Sequence, residues 1–141
     1  MIRVACAQYA IRDADPDNNL ERALHFIRQA AAEGADLIVL PELANSGCDL
    51  TLRYRALDLA EDIPGGPIVE AWKKGSEESS IHVVGGLLER EGDALYNSAV
   101  LVGPETFGRY RKTHLWDREK LLYEPGEELP VFSRVLSRLV T

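Results

Sequence analysis

Two short apolar runs separated by one amphipathic helix are the feature that most constrains the fold of this chain. Residues 2–7 and 37–40 are rich in β-branched side chains, which is typical of strands. Asp15 and Pro16 mark the start of the helix between them and Gly34 marks its end, since these residue types favour the helix termini. Strand, helix and strand at this spacing predict a βαβ unit within an α/β fold. Because both faces of the strands are apolar, we expect a covered sheet.

After this unit the pattern predicts two helices, an antiparallel meander, a long loop and a last helix. The meander is indicated by the turn sequence Glu91-Gly92-Asp93 between two apolar runs. A loop of such length in a compact domain is usually functional. The predicted segments are a helix within residues 50–61, a helix from Pro67, strands over 81–88, 95–102 and 107–111, a loop over 113–126 and a helix over 131–140.

The composition is that of a soluble globular protein with a single domain. The chain has 141 residues, of which 45% are hydrophobic and 28% charged, so it can bury a sizeable core. Its net charge of −7 argues against a general affinity for nucleic acid or anionic membrane. No apolar stretch reaches the roughly 20 residues that span a bilayer, and the N-terminus shows no targeting segment. We therefore expect a cytoplasmic protein.

The two cysteines, Cys6 and Cys48, are too few for a disulfide framework. No spacing of cysteine and histidine resembles a zinc site, and we expect neither a metal nor a cofactor. Cys6 lies within the first predicted strand, and we expect it in the core.

Charged side chains follow two of the predicted strands. Glu42 comes after residues 37–40 and Lys112 after residues 107–111. Open α/β sheets place their chemistry at such strand ends, so Glu42 could act as a general base if the fold buries it. Lys112 could stabilise a developing oxyanion, and Glu119 could orient Lys112 or share the role of base. The alternative is a structural Glu–Lys pair at two strand ends.

Other polar residues of the meander receive structural interpretations. We expect Asn97 and Ser98 to satisfy backbone groups near the site. The charged run Glu89-Arg90-Glu91 is typical of a solvated strand end.

Four motifs follow one another along the chain, from Arg3 to about Phe132, and together they are specific although each alone is weak. They are Glu33-Gly34-Ala35-Asp36 running into Leu37-Ile38-Val39-Leu40-Pro41-Glu42, then Leu95-Tyr96-Asn97-Ser98-Ala99, then Gly108-Arg109-Tyr110-Arg111-Lys112-Thr113-His114-Leu115, and Glu124-Pro125-Gly126. This series resembles the nitrilase (carbon–nitrogen hydrolase) superfamily, of which it corresponds to the N-terminal half.

The resemblance implies an α-β-β-α sandwich that is present only in part. It covers residues 1–132, whereas residues 133–141 depart from the family pattern. It also implies a Glu-Lys-Cys triad, with Glu42 as general base, Lys112 as the lysine that stabilises the oxyanion and Glu119 as an accessory glutamate. In the family, a cysteine thiolate attacks an amide or nitrile carbon to form a thioester or thioimidate.

The nucleophile of the triad is missing from these 141 residues, since no cysteine stands in the family's Cys-Tyr/Phe-Asp/Glu context. The family places it shortly beyond this length, so a truncation, a frameshift and a genuine half-domain all stay open. Cys48 follows Glu42 closely and could lie near the mouth of a substrate pocket, or it could be inert packing. Trp116 could contact substrate or pack under its loop.

The leading hypothesis is a carbon–nitrogen hydrolase for an amide, carbamoyl compound or nitrile, inactive as this chain alone. The alternative is a non-catalytic fragment or pseudoenzyme that binds a ligand or a partner. Half a sandwich would leave an apolar sheet face and strand edges uncovered, so we also expect instability or association, with a homo-oligomer as the family norm. The sequence does not determine the substrate or the number of subunits.

Overall fold

The structure, a computed structural model that describes residues 1–48 and 53–132, is a mixed sheet of six strands with helices packed on it. The strands lie in the order β1-β2-β4-β5-β6, and β3 pairs with the far end of β4. The elements in chain order are β1 (Val4–Cys6), α1 (Pro16–Ala32), β2 (Leu37–Val39), α2 (Arg53–Leu59), β3 (Glu61–Asp62), α3 (Pro67–Ser79), β4 (His82–Glu91), β5 (Ala94–Gly103) and β6 (Thr106–Arg111).

The predicted βαβ unit is confirmed. The Asp15 side chain accepts a hydrogen bond from the Asn18 N–H and so caps α1, whose first residue is Pro16. Gly34 follows the helix with a φ of +77°, the left-handed conformation that favours glycine. The chain then returns as β2, which pairs with β1 in parallel.

The predicted meander is confirmed as well, and it joins the βαβ unit in one sheet. β4 is parallel to β2, whereas β5 and β6 follow in antiparallel pairing. The helix predicted within residues 50–61 is confirmed as α2, and Glu61, after its end at Leu59, lies in β3. The Glu61 carboxylate accepts hydrogen bonds from the N–H groups of Ile68 and Val69 at the start of α3. Residues 50–52 of that segment lie outside the described residues.

One face of the sheet is covered by α1 and α3, which also pack on each other. Trp72 of α3 is fully buried against β4, where a side chain at Gly85 would overlap the indole ring. The largest buried side chains of this core are Trp72, Ile27, Ile38, Ile81, Leu87, Val69, Val83, Val100 and Val102.

The opposite face of the sheet is open at the β1–β2 side. Directly paired residues share a face, so Val4 lies beside Leu37 and Cys6 lies beside Val39. Val4 is 55% exposed and Cys6 is also exposed. The predictions of a sheet covered on both faces and of Cys6 in the core are therefore wrong for this part of the sheet, because α1 and α3 lie on the other face.

The loop predicted over residues 113–126 contains a short 3-10 helix, Asp117–Leu121. Tyr123 then packs into a second core cluster that includes Leu88 and Leu95. Residues 131–132 are not helical, and the rest of the predicted last helix lies outside the described residues. None of the helices within the described ranges is long and apolar enough to cross a membrane.

Candidate active site

The ends of β2 and β6 meet at the predicted constellation. Lys112 Nζ lies 2.9 Å from Glu42 Oε1 and 3.0 Å from Glu119 Oε1. Lys112 directly follows β6, whereas Glu119 lies in the 3-10 helix of the next loop. The three side chains named from the sequence thus form one hydrogen-bonded ionic cluster.

The turn that carries Glu42 is fixed to the neighbouring strand at Gly86. The Gly86 N–H donates to the Pro41 carbonyl at 3.1 Å, and the Ala44 N–H donates to the Gly86 carbonyl at 2.8 Å. A Cβ at Gly86 would lie 2.6 Å from the Cα of Glu42, closer than real Cβ atoms approach. Glycine on β4 is therefore what lets the Glu42 turn lie against the sheet.

Asn97 of β5 connects the two carboxylates. Its Nδ2 group donates to Glu42 Oε1 at 2.6 Å and to Glu119 Oε1 at 3.1 Å, and its side chain is buried. Its carbonyl accepts the Lys112 N–H at 2.8 Å. The expectation that Asn97 serves only backbone groups is wrong, because its side chain points to the face on which both carboxylates lie. Asn97 is a site residue that sequence reasoning missed.

The cluster stabilises its own charges. Burial opposes the charge on Lys112, but hydrogen bonds to Glu42 and Glu119 outweigh it, and the pKa of Lys112 is raised. Burial likewise opposes the charge on Glu119, yet hydrogen bonds from the Trp116 N–H, Lys112 and Asn97 lower the pKa of its carboxyl. The pairing therefore holds the lysine as a cation and Glu119 as an anion.

Exposure differs among the three charged side chains. Glu119 is 14% exposed and Lys112 is 29% exposed, but Glu42 is 60% exposed. The condition under which Glu42 was expected to act as a base, burial by the fold, is not met by the described residues. Glu42 faces the open side of the sheet, and only one of its oxygens, Oε1, is bonded to Lys112 and Asn97.

Tyr123 lies at the floor of this region, and Cys48 lies near it. Burial raises the pKa of Tyr123 to about 12, with further contributions from Glu119, Cys48 and Glu42. The Cys48 side chain is exposed, and its N–H donates to Asp13 Oδ1 at 3.1 Å. Cys48 therefore lies within electrostatic range of Tyr123, and its role in binding stays a prediction.

Trp116 holds Glu119 through its backbone and leaves its ring in solvent. The Trp116 N–H donates to Glu119 Oε2 at 2.8 Å, while the residue is 76% exposed. The interpretation that its indole packs under the loop is therefore wrong, and contact with substrate stays a prediction. A cleft of about 410 Å³ beside the same loop is lined by residues that include Thr113, Leu115 and Tyr123.

A second charged cluster lies behind the site, on the covered face, and the sequence interpretation missed it. Glu89 is fully buried and is bonded to Ser98, Arg109 and Arg111. The prediction of a solvated strand end at Glu89 is therefore wrong, and Ser98 serves this side chain rather than a backbone group. The signal in the sequence is that Arg109 and Arg111 alternate along β6, which places both guanidinium groups on one face.

In the described ranges, no group of three or more His, Cys, Asp or Glu side chains is placed to hold a metal ion. The polar groups of the candidate site are two carboxylates, an amide and an ammonium, and they form hydrogen bonds with one another.

A family model for carbon-nitrogen hydrolases matches residues 3–140. The chain belongs to the carbon–nitrogen hydrolase family. The match runs into the segment 133–141, which lies outside the described residues, so the predicted domain boundary at residue 132 stays a prediction. The nitrilase-type resemblance read from the sequence motifs is confirmed.

Relatives in this hydrolase family include nitrilases and amidases. A nitrilase from Pyrococcus abyssi is 40% identical over 128 residues, which are 90% of this chain and 49% of the relative. The human omega-amidase NIT2 is 34% identical over an alignment covering 97% of this chain and 52% of the relative. The chain therefore spans about half the length of these curated relatives.

Solved structures confirm the fold of the carbon–nitrogen hydrolase family. XC1258 from Xanthomonas campestris, a CN-hydrolase superfamily protein with an arsenic adduct in its active site, matches with a TM-score of 0.79 at 27% identity. The alignment covers 90% of this chain and 47% of that one. The predicted α-β-β-α sandwich, present in part, is thus the correct fold class.

Proposed function

We propose that this chain supplies the Glu-Lys part of a carbon–nitrogen hydrolase site. Glu42 is the general base, Lys112 stabilises the oxyanion, and Glu119 with Asn97 holds both in place. The observation that carries the proposal is Lys112 Nζ at 2.9 Å from Glu42 Oε1 and 3.0 Å from Glu119 Oε1, on the open side of a sheet of this family's fold. The two carboxylates also share one buried amide donor, since Asn97 Nδ2 donates to both Glu42 and Glu119.

The reaction uses these groups in two steps. Glu42 takes the proton of a cysteine thiol as its sulfur bonds to the amide carbon, and the carbonyl π electrons move to oxygen beside the Lys112 ammonium. Collapse of this intermediate breaks the C–N bond, and the amine leaves with the proton. Glu42 then takes a proton from water, whose oxygen attacks the thioester and releases the acid and the thiol.

We propose that neither cysteine of the chain is this nucleophile. Cys6 lies on β1, three strands from Asn97 on β5, and three strand spacings of ~4.8 Å put it ~14 Å away. Cys48 lies near Tyr123, in a loop where nothing among the described residues bonds to its sulfur as a base. We therefore place the nucleophile outside these 141 residues, as the family's pattern implies, and the chain alone is inactive.

The proposed substrates are small amides, carbamoyl compounds or nitriles. Relatives named as a nitrilase and an omega-amidase support this class. So does an amidase from Nesterenkonia in complex with butyramide, which has a TM-score of 0.81 and 25% identity. We propose a cytoplasmic homo-oligomer that binds neither nucleic acid nor membrane.

Ammonia release tests the proposal. The chain alone is incubated with a panel of amides and nitriles, beside a fusion to the remaining half of the Pyrococcus abyssi nitrilase. The fusion is expected to release ammonia and the chain alone to release none. In the fusion, Glu42→Gln and Lys112→Met are each expected to lower kcat by ~10²-fold or more, since each removes a group that acts in the transition state.

The same substitutions at an exposed ion pair provide the control. Lys74 and Glu78 of α3 form such a pair, and Lys74→Met and Glu78→Gln should leave turnover unchanged. Turnover by the chain alone that Cys48→Ala abolishes would place the nucleophile at Cys48 and overturn the proposal. An inactive, well-folded fusion would favour the alternative of a non-catalytic protein that binds a ligand or a partner.

A further inference from the structure

Glu89 is a charged side chain buried on the face of the sheet opposite the candidate site. Its carboxylate receives the Ser98 hydroxyl and the Arg111 Nε–H on Oε2, the latter at 3.0 Å. Its Oε1 receives Arg109 Nη1 at 2.9 Å and also Arg111 Nη2. The residue is 0% exposed, so both carboxylate oxygens obtain their partners from the protein.

Two partners of Glu89, Ser98 and Arg111, are the sequence neighbours of site residues. Ser98 and Arg111 are directly paired across β5 and β6. Asn97 precedes Ser98 and Lys112 follows Arg111, and successive side chains on a strand point to opposite faces. Ser98 and Arg111, which bond to Glu89, therefore lie on one face of the sheet. Asn97 and Lys112, which bond to Glu42, lie on the opposite face.

We propose that Glu89 is a positioning residue: it fixes the register of β5 against β6 from the covered face, and so holds Lys112 and Asn97 against Glu42. This inference rests on the proposed function only in calling the Lys112 cluster an active site. Glu89 touches none of the reacting groups and acts through Ser98 and Arg111.

The register of β5 against β6 decides on which face of the sheet the Lys112 side chain lies. A slip of one residue between β5 and β6 would turn Lys112 to the covered face, because side chains alternate along a strand. On the opposite face, each pair near this end of β6 contains one small residue, Ala99 beside Tyr110 and Gly108 beside Leu101, so cross-strand packing of two large side chains does not fix the register there. The ion pairs of Glu89 resist it, because a shifted β6 would move both Arg109 and Arg111 away from a buried carboxylate.

Stability alone does not explain a buried carboxylate at this position. A buried ion pair is often no more stabilising than apolar side chains of similar volume, whereas it tolerates only one arrangement of its partners. Arg111 is also fixed from its other side, with its guanidinium 3.7 Å from the ring centre of Tyr96. Directional contacts of this kind specify a position more strictly than apolar packing does.

The test is the titration of Lys112 in the intact chain, followed by NMR on protein labelled at the lysine side chains. The raised pKa of Lys112 reports its contacts with Glu42 and Glu119. In Glu89→Gln we expect this pKa to move down toward its ordinary value, because the neutral amide cannot hold both guanidinium groups. Ser98→Ala, which removes one hydrogen bond and keeps the ion pairs, should move it in the same direction by less.

Val83→Ala is the matched control for stability. Val83 is fully buried on the same strand and the same face as Glu89, at the opposite end of β4. The Val83→Ala substitution should lower the unfolding midpoint and leave the Lys112 titration unchanged. If Glu89→Gln does not fold, the Lys112 titration measured in Ser98→Ala tests the proposal. A Lys112 titration that is unchanged in the folded Glu89 or Ser98 variant, or that shifts equally in Val83→Ala, overturns the proposal.

The result of the Lys112 titration does not depend on whether the completed protein releases ammonia. A Lys112 pKa that follows Glu89 in a protein whose completed form releases no ammonia would sustain the positioning role and refute the hydrolase function. The reverse result, ammonia release with an insensitive Lys112 titration, would sustain the hydrolase and refute the positioning role.

Discussion

Lys112 Nζ lies 2.9 Å from Glu42 Oε1, although the two residues are 70 positions apart in the chain. Two backbone contacts bring them together. The Glu42 turn is bonded to Gly86 of β4, and the Lys112 N–H is bonded to the Asn97 carbonyl of β5 at 2.8 Å. Since β4 and β5 are adjacent antiparallel strands, both charged residues are held by one hairpin.

Removing the amide that connects the carboxylates should change how Glu119 titrates. In Asn97→Ala, Glu119 loses one of the donors that lower its pKa, so we expect that pKa to rise. A carboxyl-detected NMR titration measures it. Leu101→Ala is the control, because Leu101 is buried on the same face of the same strand and donates nothing to the site. An equal shift in both variants would contradict the role given to Asn97.

Glu119 should contribute to stability in a pH-dependent way. Its folded pKa is lowered below 4.5, so its contribution is present above the unfolded value and is lost as pH falls through the folded value. Glu119→Gln should therefore lose stability at neutral pH and approach the wild type in acid. Urea unfolding on both sides of pH 4.5 measures the difference. Glu78→Gln, at an exposed position of α3, should show a much smaller pH dependence.

Gly86→Ala should disrupt the site through a steric effect. The added Cβ would meet the backbone at Glu42, Leu43 and Pro41, with all three distances at or below 2.9 Å. We expect a loss of about 1–3 kcal/mol in the free energy of unfolding, together with displacement of Glu42 from Lys112. The matched control is Gly75→Ala in α3, where the nearest atom is the flexible end of Leu24 at 3.1 Å.

Because alanine favours a helix over glycine by about 1 kcal/mol, Gly75→Ala should not lower the free energy of unfolding. Denaturant unfolding and the NMR signal of the Lys112 side chain measure the two effects. A Gly86→Ala variant as stable as the wild type would show that the turn at Glu42 can move away from β4.

The open sheet face should make this chain associate. Val4 is 55% exposed and shares its face with Leu37 and Val39, so an apolar surface lies beside an edge of β1 that pairs with no other described strand. Light scattering after size exclusion should show association, and a hydrophobic dye should bind. Val4→Glu should lower both, whereas Tyr54→Glu, at an exposed residue of α2, should lower neither. A monomer with a cooperative unfolding transition and no bound dye would contradict this expectation.

Much of the fold was predictable, because its signals are local. Asp15, Pro16 and Gly34 act on the backbone within one helical turn, and they correctly predicted where α1 begins and ends. The short strand at Glu61 was not predicted, because the position of Glu61 depends on hydrogen bonds from the N–H groups of Ile68 and Val69 in another element. A contact of that kind has no signature in the surrounding residue types.

The charged side chains of the site were identified from the sequence, and their partners were not. Glu42, Lys112 and Glu119 stand at strand ends or in a polar loop, where charge is expected to carry chemistry. Asn97 and Glu89 lie inside strands, and their roles depend on which face of the sheet each one meets. That depends on the register of β4, β5 and β6, which only the pairing of the strands specifies.

The sequence by itself predicted the βαβ unit, the meander, the family, and the charged residues of the proposed chemistry. The tertiary structure alone decided that Glu42 and Lys112 touch, that Asn97 joins them and that Cys6 is exposed. The physical reason is the range of the interactions. Capping, turns and periodicity act over a few residues, whereas a hydrogen bond across a sheet depends on the position of every strand between its partners.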